Sequence, residues 1–366
     1  MSTLTRVSPQ QRTMLKAPLR IVSIGGGTGL STLLSGLKKH ARGTQSGHHP
    51  SGPVVDITAV VTVSDDGGSS GRLRREFDTL PPGDIRNCMT ALSEDAALLS
   101  QLFRYRFASG RGLKGHSFGN LFLTAMHQIT GDFAHGVKLS SEILAIRGRI
   151  FPATSANATL EAILEDGSVV RGETKISKSR APIRLVRLRP ELCEPLPETL
   201  AAIRTADLIT FGPGSLYTSV IPNVLVNGIA EAIEESPAMK VYFVNLMWQP
   251  GETIKFSASQ HLRALNEHAQ RELIDCIVVN TGTIPAELAR KYARAHVKPV
   301  ENDFDTLTQM GVKVVAADLV CDTSIDQKKI RHDPAAMAEV VIDLASRSRV
   351  FQIRREELAA RARRFK

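Results

Sequence analysis

The sequence predicts an α/β protein built on a Rossmann-like, doubly wound and mostly parallel sheet, with helices on both faces and a small β-rich insertion. Short β-branched runs alternate along the chain with segments in which apolar residues recur at helical spacing, as in successive βαβ units. Several of these runs end in glycine-rich turns that lead into helices. Ligands of such sheets bind beyond the carboxyl ends of the strands, where the strand order reverses. The glycine turns therefore predict which edge carries the site.

The first strand, 19–24, is joined to a helix predicted over 28–40 by a turn that holds four glycines. A helix N-terminus presents unpaired backbone N–H groups and the positive end of the helix dipole, which together favour an anion, most often a phosphate. The spacing matches neither the G-x-G-x-x-G dinucleotide fingerprint nor the P-loop, and a purely structural turn is the alternative. The candidate anion-binding residues are Gly25, Gly26, Gly27, Thr28 and Gly29.

The second strand, 54–63, follows a surface loop at 41–53 and ends in an aspartate–glycine turn. Carboxylates at this position often bond a ribose or a metal-bound phosphate. They could hold a magnesium ion, orient a hydroxyl or act as a base, whereas an Asx turn that closes the strand is the alternative. The candidate residues are Asp65, Asp66, Gly67, Gly68 and Ser69.

A mainly helical block is predicted over 83–147. Asp84 is expected to be an N-cap, with Arg86 and Asn87 in the first turn of the helix. Arg86 either clamps a phosphate with two hydrogen bonds or pairs with a nearby carboxylate. His116 and Asn120, at the start of a later helix, are candidate ligand contacts, and for His116 a helix-capping role is the alternative.

The stretch 151–192 changes character, because its side chains alternate at 158–164 and 183–188 around a hairpin turn at Asp166-Gly167. We expect a platform or edge element on the main sheet. The βα alternation then returns, with strands at 208–211, 241–246, 274–280 and 312–317, and helices at 257–270 and 285–295. Asp333-Pro334 is expected to open a last helix that ends near Ser346.

A third glycine turn follows the strand at 208–211 and supplies Gly212, Gly214 and Ser215 as candidate ligand contacts. It lacks the trailing glycine of the G-x-S-x-G nucleophile elbow, which argues against an α/β-hydrolase. Trp248, in another loop after a strand, either stacks on a base or packs in the core.

The excess of 46 Lys and Arg over 37 Asp and Glu belongs to the two ends of the chain, because residues 21–346 hold 34 basic and 35 acidic side chains. We therefore predict basic tails at 1–18 and 347–366 flanking a single domain at 19–346, and no nucleic-acid binding. The four cysteines form no CxxC pair, which argues against a zinc site or a disulfide framework. Because no apolar run is long enough to span a bilayer, we expect a cytoplasmic protein without membrane insertion.

Taken in order, these motifs resemble the YvcK family of bacterial gluconeogenesis factors, relatives of the 2-phospho-L-lactate transferase CofD. The resemblance covers about residues 19 to 345. The stretches that carry it are Val22–Ser31, Ser64–Arg72, Pro81–Asn87, Gly115–Asn120, Gly148–Thr154, Gly212–Ser219, Asn245–Thr253 and Arg331–Pro334.

The resemblance implies a nucleotide-type ligand at the glycine edge, notably UDP-N-acetylglucosamine, with Tyr292 and Arg331 among its contacts. It also implies support of cell-wall synthesis and cell shape on gluconeogenic carbon sources, a cell-wall synthesis protein as a partner, and a homodimer. The first hypothesis is a non-catalytic UDP-sugar-binding regulator without a cofactor. The second is a CofD-type transferase with Mg²⁺ on Asp65 or Asp66. A hydride-transfer enzyme comes third, since the dinucleotide fingerprint fails.

Overall fold

The computed structural model describes residues 17–42, 53–94, 97–324 and 329–364. Within these ranges the main sheet has seven parallel strands and a second sheet has three antiparallel strands. The strands are β1 Leu19–Gly25, β2 Val55–Val61, β3 Arg149–Pro152, β4 Thr159–Leu164, β5 Val169–Arg171, β6 Ile183–Arg189, β7 Leu208–Phe211, β8 Met239–Phe243, β9 Cys276–Asn280 and β10 Lys313–Ala317.

The main sheet has the strand order β10-β9-β8-β7-β1-β2-β3. Strand β1 pairs in parallel with β2 on one side and with β7 on the other, so that Ile21 lies between Ile57 and Leu208. The chain builds the sheet outward from β1 to β3, then returns to β7 and builds it in the opposite direction. The predicted doubly wound sheet is therefore confirmed, and its switch point lies between β1 and β7.

Helices cover both faces of this sheet. They are α1 Gly27–Leu37, α2 Gly68–Phe77, α3 Gly83–Leu92, α4 Ala97–Arg104, α5 Phe118–Thr130, α6 Phe133–Ile143, α7 Glu173–Ile176, α8 Pro197–Thr205, α9 Ile221–Val224, α10 Ile229–Glu235, α11 Ala258–Ala269, α12 Ala286–Arg294, α13 Phe304–Gln309 and α14 Pro334–Arg364. A π-helical turn at Leu216–Val220 precedes α9.

Each central strand buries side chains on both faces. In β1, Val22 belongs to a first hydrophobic cluster and Ile21 to a second one on the opposite face. The first cluster continues into the second sheet and α9–α11, and the second into α1, α3 and α14. Burial on both faces explains why the strands appear in the sequence as nearly continuous apolar runs.

The β-rich insertion forms the second sheet, in the order β5-β4-β6, rather than an edge of the main sheet. Its apolar face, with Leu160 and Val186, packs into the first cluster. Phe151 and Pro152, which we assigned to the insertion, belong instead to β3 at the edge of the main sheet. The insertion also contains the short helix α7, which reaches the site described below.

The predicted end of the last helix near Ser346 is wrong, since α14 continues to Arg364. Arg349 lies inside the predicted basic tail, but its side chain is buried and bonds to Asp207 at the start of β7. This contact holds the helix against the sheet. Residues 1–16 of the predicted N-terminal tail and 43–52 of the predicted loop lie outside the described residues, and the division into domains stays a prediction.

Within the described ranges, no single helix has both the length and the apolar character to cross a membrane. Leu216–Val224 and Ile229–Glu235 reach that length only as a pair, across a bend of 75°.

Candidate functional site

A cleft of about 500 Å³ opens at the carboxyl edge of the main sheet, at the switch point. The turns that follow β1 and β7 form two of its walls, as the topology requires. Eight of the predicted site residues line it: Gly26, Gly27, Thr28, Gly29, Gly214, Ser215, Tyr292 and Arg331. Gly25 and Gly212 lie directly behind, where a Cβ built on Gly25 would come 3.8 Å from the Gly212 Cα.

The first wall presents the N-terminus of α1 to the cleft. Gly26 is the N-cap residue and has no side chain to bond the first amides of the helix, and Gly27 adopts a left-handed φ of +63°. The first turn of α1 carries no acidic residue. The Gly27 amide is used by Asp84, as described below. The other amides of the first turn, together with the helix dipole, suit a phosphate bound in the cleft.

Ser215, on the second wall, is oriented by a chain of side-chain amides from the loop after β8. Asn245 Nδ2 donates to Gln249 Oε1 at 2.9 Å, and Gln249 Nε2 donates to Ser215 Oγ at 3.0 Å. Glu252 closes the other side, since its carboxylate accepts from the Tyr217 amide at 3.1 Å and from Thr218 Oγ1 at 3.0 Å. Burial raises the pKa of Glu252 above its ordinary value.

Asn245, Gln249 and Glu252 line the cleft, yet our site prediction omitted them. The available signal was their position after a strand end, which was the basis for singling out Trp248. The Trp248 ring packs against the core, as one of the two alternatives predicts. It also lines the cleft, where stacking on a base stays a prediction. The Trp248 Nε1–H donates to the Phe256 carbonyl at 3.1 Å.

The opposite wall comes from α12 and from the loop before α14. Tyr292 on α12 accepts a hydrogen bond from the Ile330 amide at 3.4 Å, so the helix and the loop are joined beside the cleft. His332 anchors the loop to the sheet, because its Nε2–H donates to the Val244 carbonyl at 3.2 Å. Burial lowers the pKa of His332 to about 4, so the ring is neutral at physiological pH. Among the described residues that line the cleft, Arg331 is therefore the cationic side chain.

Carboxyl groups gather beside the first glycine turn. The prediction that Asp84 is an N-cap is wrong. Pro82 is the N-cap of α3, and Asp84 lies in the first turn of this helix. Its carboxylate instead accepts a hydrogen bond from the Gly27 amide. A Cβ on Gly26 would lie 2.7 Å from Asp84 Oδ2, so any larger residue there would displace this carboxylate. Burial, and then the charge of Asp65, raise the pKa of Asp84 to about 7.

Glu173, from helix α7 of the insertion, is the acid of this group that lines the cleft. Burial, followed by the charges of Asp65 and Asp84, raises its pKa to about 9. The acid is therefore protonated at neutral pH and can donate a hydrogen bond into the cleft.

The aspartate–glycine turn lies behind the cleft. Asp65 Oδ1 accepts from the Gly67 amide at 2.8 Å, which is the Asx turn considered as the alternative. Asp66 Oδ1 accepts from the amide and hydroxyl of Thr174, at 2.9 and 2.7 Å. Within the described part of the chain, no group of three or more His, Cys, Asp or Glu side chains forms a candidate metal site. A magnesium ion on Asp65 or Asp66 stays a prediction.

The other predicted residues around this turn also lie outside the cleft lining. Gly67 and Gly68 begin α2, and Ser69 Oγ is hydrogen-bonded to the buried His116 Nδ1 at 3.0 Å. Asn120 Nδ2 donates to Ser70 Oγ at 3.4 Å. These side chains join α2 to the start of α5, and their contact with a ligand stays a prediction.

Arg86 and Asn87 face a different cavity, on another side of α1. Arg86 Nη2 donates to Asn87 Oδ1 at 2.5 Å. Neither residue lines the main cleft. The sequence pattern singled out Arg86 as a candidate phosphate contact, but it did not predict which cavity the side chain faces.

A family model described as 2-phospho-L-lactate transferase CofD matches residues 21–320. The gluconeogenesis factor of Bacillus subtilis (strain 168) is 49% identical over 325 residues, covering 89% of this chain and 98% of that protein. The gluconeogenesis factor of Halalkalibacterium halodurans is 46% identical over 323 residues, covering 88% and 95%. A crystal structure of a UPF0052 family member from Bacillus halodurans is 45% identical, with a TM-score of 0.82, and the match covers 89% of this chain and 99% of that one.

Proposed function

We propose a function for this chain, which belongs to the CofD family and has relatives named gluconeogenesis factors. It is a regulatory protein that binds a UDP-sugar, and its ligand is UDP-N-acetylglucosamine. The observation that carries the proposal is that two glycine turns, Tyr292 and Arg331 line the same cleft, with the turns facing the two side chains. It is the arrangement expected for a ligand with a diphosphate in the middle and a polar ring at either end.

The chemistry of each wall supports this ligand. The amides at the start of α1 and the Ser215 hydroxyl suit phosphate oxygens, and the Arg331 guanidinium can pair with the second phosphate. Tyr292 and Trp248 offer aromatic surface to a ring. The protonated Glu173, Asn245 and Gln249 offer hydrogen bonds to sugar hydroxyls and amides. The volume of about 500 Å³ falls within the range of small-molecule sites.

The biological role that we propose is supported by the name of the relatives, gluconeogenesis factor. A cytoplasmic protein that binds a wall precursor can report the supply of that precursor to a cell-wall synthesis protein when growth depends on gluconeogenesis. Binding without turnover is sufficient for this role.

Isothermal titration calorimetry tests the ligand. We expect heat with UDP-N-acetylglucosamine and none with NAD, since the dinucleotide fingerprint is missing. Arg331→Ala should weaken binding about tenfold or more, because a charge-assisted hydrogen bond contributes roughly 1.5–3 kcal/mol. Arg290→Ala, which removes an exposed arginine of α12 that does not line the cleft, is the matched control. If no UDP-sugar gives heat, the proposal is wrong.

The second candidate is a transferase of the CofD type, favoured by the carboxyl groups of Asp84 and Glu173 at the glycine turn. Transfer of a phosphate-linked group depends mostly on positioning and neutralisation of charge. Turnover of a nucleotide-linked donor in the presence of Mg²⁺, lost in Asp66→Asn with the fold intact, would support this candidate over the first.

A further inference from the structure

A second cavity, which we call the arginine cavity, lies beside the main cleft and has a volume of about 390 Å³. It contacts the cleft only through Thr32, which lines both among the described residues. Its described lining contains three arginines and no carboxylate. The three arginines are Arg86, Arg104 and Arg106.

Two of the three arginines, Arg86 and Arg106, are oriented by contacts within the protein before any ligand arrives. The stem of Arg86 crosses the start of α5 at Gly119, where a Cβ would lie 2.9 Å from Arg86 Cγ. Its guanidinium is oriented by Asn87. Arg106 Nη1 donates to the Gly115 carbonyl at 2.6 Å. Such pre-organisation lowers the entropy that binding would otherwise cost.

The charges of these side chains oppose one another. Burial lowers the pKa of Arg86, and the charge of Arg106 lowers it further. Asp84 and Asp65 act in the opposite direction on Arg86, but neither lines the cavity. An anion bound among the three guanidinium groups would relieve this repulsion, and a phosphate offers the oxygens that arginine bonds best.

The hydroxyl groups of the lining indicate the rest of the ligand. Ser31 and Ser35 donate to helix carbonyls, at 3.0 and 2.7 Å, and Thr90 donates to the Arg86 carbonyl at 2.8 Å. Their protons are used, so their oxygens face the cavity as acceptors. Acceptors suit the hydroxyl groups of a ligand rather than further phosphate oxygens.

We propose that the arginine cavity binds a small hydroxylated phosphate monoester, such as a sugar phosphate, at a site separate from the UDP-sugar cleft. The three arginines hold the phosphate and the hydroxyl oxygens of α1 and α3 hold the polyol. The site gives the protein a second small-molecule ligand, and its existence does not depend on the identity of the ligand in the main cleft.

Calorimetry on the full chain, with glucose 6-phosphate, inorganic phosphate and glucose as probes, tests this site. We expect glucose 6-phosphate to bind more tightly than inorganic phosphate, and glucose not to bind. The double variant Arg104→Ala/Arg106→Ala should weaken glucose 6-phosphate at least tenfold, whereas Arg111→Ala, an exposed arginine of the same segment outside the lining, should not.

The cleft provides the second control. Arg331→Ala should leave glucose 6-phosphate binding unchanged, and the double variant should keep its affinity for UDP-N-acetylglucosamine, so the two proposals fail independently. If the double variant does not fold by circular dichroism, Arg104→Ala alone replaces it, with at least a threefold loss expected. Absence of glucose 6-phosphate binding, an equal loss in Arg111→Ala, or competition by UDP-N-acetylglucosamine would each overturn the inference.

Discussion

The Gly29 backbone packs so closely on Pro213 that a Cβ at position 29 would lie 2.2 Å from the Pro213 carbonyl oxygen. Gly29 lies in the first turn of α1, which follows β1, and Pro213 lies in the turn that follows β7. Their contact sets the separation of the two walls of the cleft. Only glycine allows this contact, because the nearest atoms belong to the Pro213 backbone.

Gly29→Ala should separate the two turns. We expect a loss of about 1–3 kcal/mol in the free energy of unfolding, because the added methyl has no room against backbone. Binding of the UDP-sugar should fall more than stability does, and urea denaturation beside calorimetry would measure both. Ser31→Ala, in the same turn of α1, adds no atom against Pro213 and should leave both quantities nearly unchanged. A fully stable Gly29→Ala variant with normal binding would contradict the packing argument.

Tyr292 should contribute to binding through its ring more than through its hydroxyl. The hydrogen bond that its oxygen accepts from Ile330 is long, at 3.4 Å. We therefore expect Tyr292→Phe to change the affinity for UDP-N-acetylglucosamine less than about threefold, and Tyr292→Ala to weaken it about tenfold or more. Titration calorimetry of the two variants side by side decides this. Equal losses would place the contribution in the hydroxyl.

Glu173 should make the protein less stable as the pH rises. Its pKa is near 4.5 ordinarily and about 9 in the fold, so the folded state holds the proton more tightly. The corresponding stability is complete below about pH 4.5, decreases as the pH rises, and is lost by about pH 9. A single such group contributes a slope of at most about 1.4 kcal/mol per pH unit.

Glu173→Gln should remove that slope between pH 5 and pH 9, as measured by urea denaturation at each pH. Glu165→Gln changes an exposed carboxylate of the same insertion and should reproduce the slope of the parent chain. If the free energy of unfolding of the parent chain instead rose over this range as much as that of the Glu173→Gln variant, Glu173 would be charged in the fold and the prediction would be wrong.

Arg349 should be important for stability although it lies in a strongly basic segment. Its guanidinium bonds to Asp207, whose side chain is 2% exposed, and also to the backbone carbonyls of Ala17 and Pro18. Arg349→Ala removes one partner of a buried ion pair, which costs about 3 kcal/mol. Arg347→Ala removes an exposed pair with Asp343 and should cost less than about 0.5 kcal/mol. Thermal or urea unfolding of the two variants would compare them, and similar values would refute the anchoring role.

The strands and the edge that carries the site could be predicted from sequence because both depend on local patterns. Ile21 and Val22 are both buried, on opposite faces, and a strand of this kind leaves a continuous apolar run. The turns after β1 and β7 then meet because of a rule of topology. The glycine at position 29 was a visible signal of that meeting, although its neighbour Pro213 is far away in the chain.

Other features depend on contacts between distant segments. The sequence near Asp84 predicts a helix, and a helix-capping role for Asp84 was inferred from that local pattern. In the structure its carboxylate instead accepts a hydrogen bond from the Gly27 amide. Glu173 enters the cleft from an insertion whose packing the alternation pattern does not determine. Arg86 lies beside α1, on a side of the helix that spacing alone does not predict. The helix beyond Ser346 had a local signal, because no Gly or Pro follows before Arg364, but its basic composition favoured a solvated tail.

The pairing of β1 with β7 also determines the order in which the protein can be completed during its synthesis. Asp207 accepts a hydrogen bond from the Arg20 amide at 2.7 Å, across 187 residues. At about 5–20 residues per second, a ribosome needs about 10–40 s to make the intervening chain. Over that interval one edge of β1 has no partner and can pair wrongly. This edge of β1 is therefore protected only after the 187 residues that separate Arg20 from Asp207 have been made.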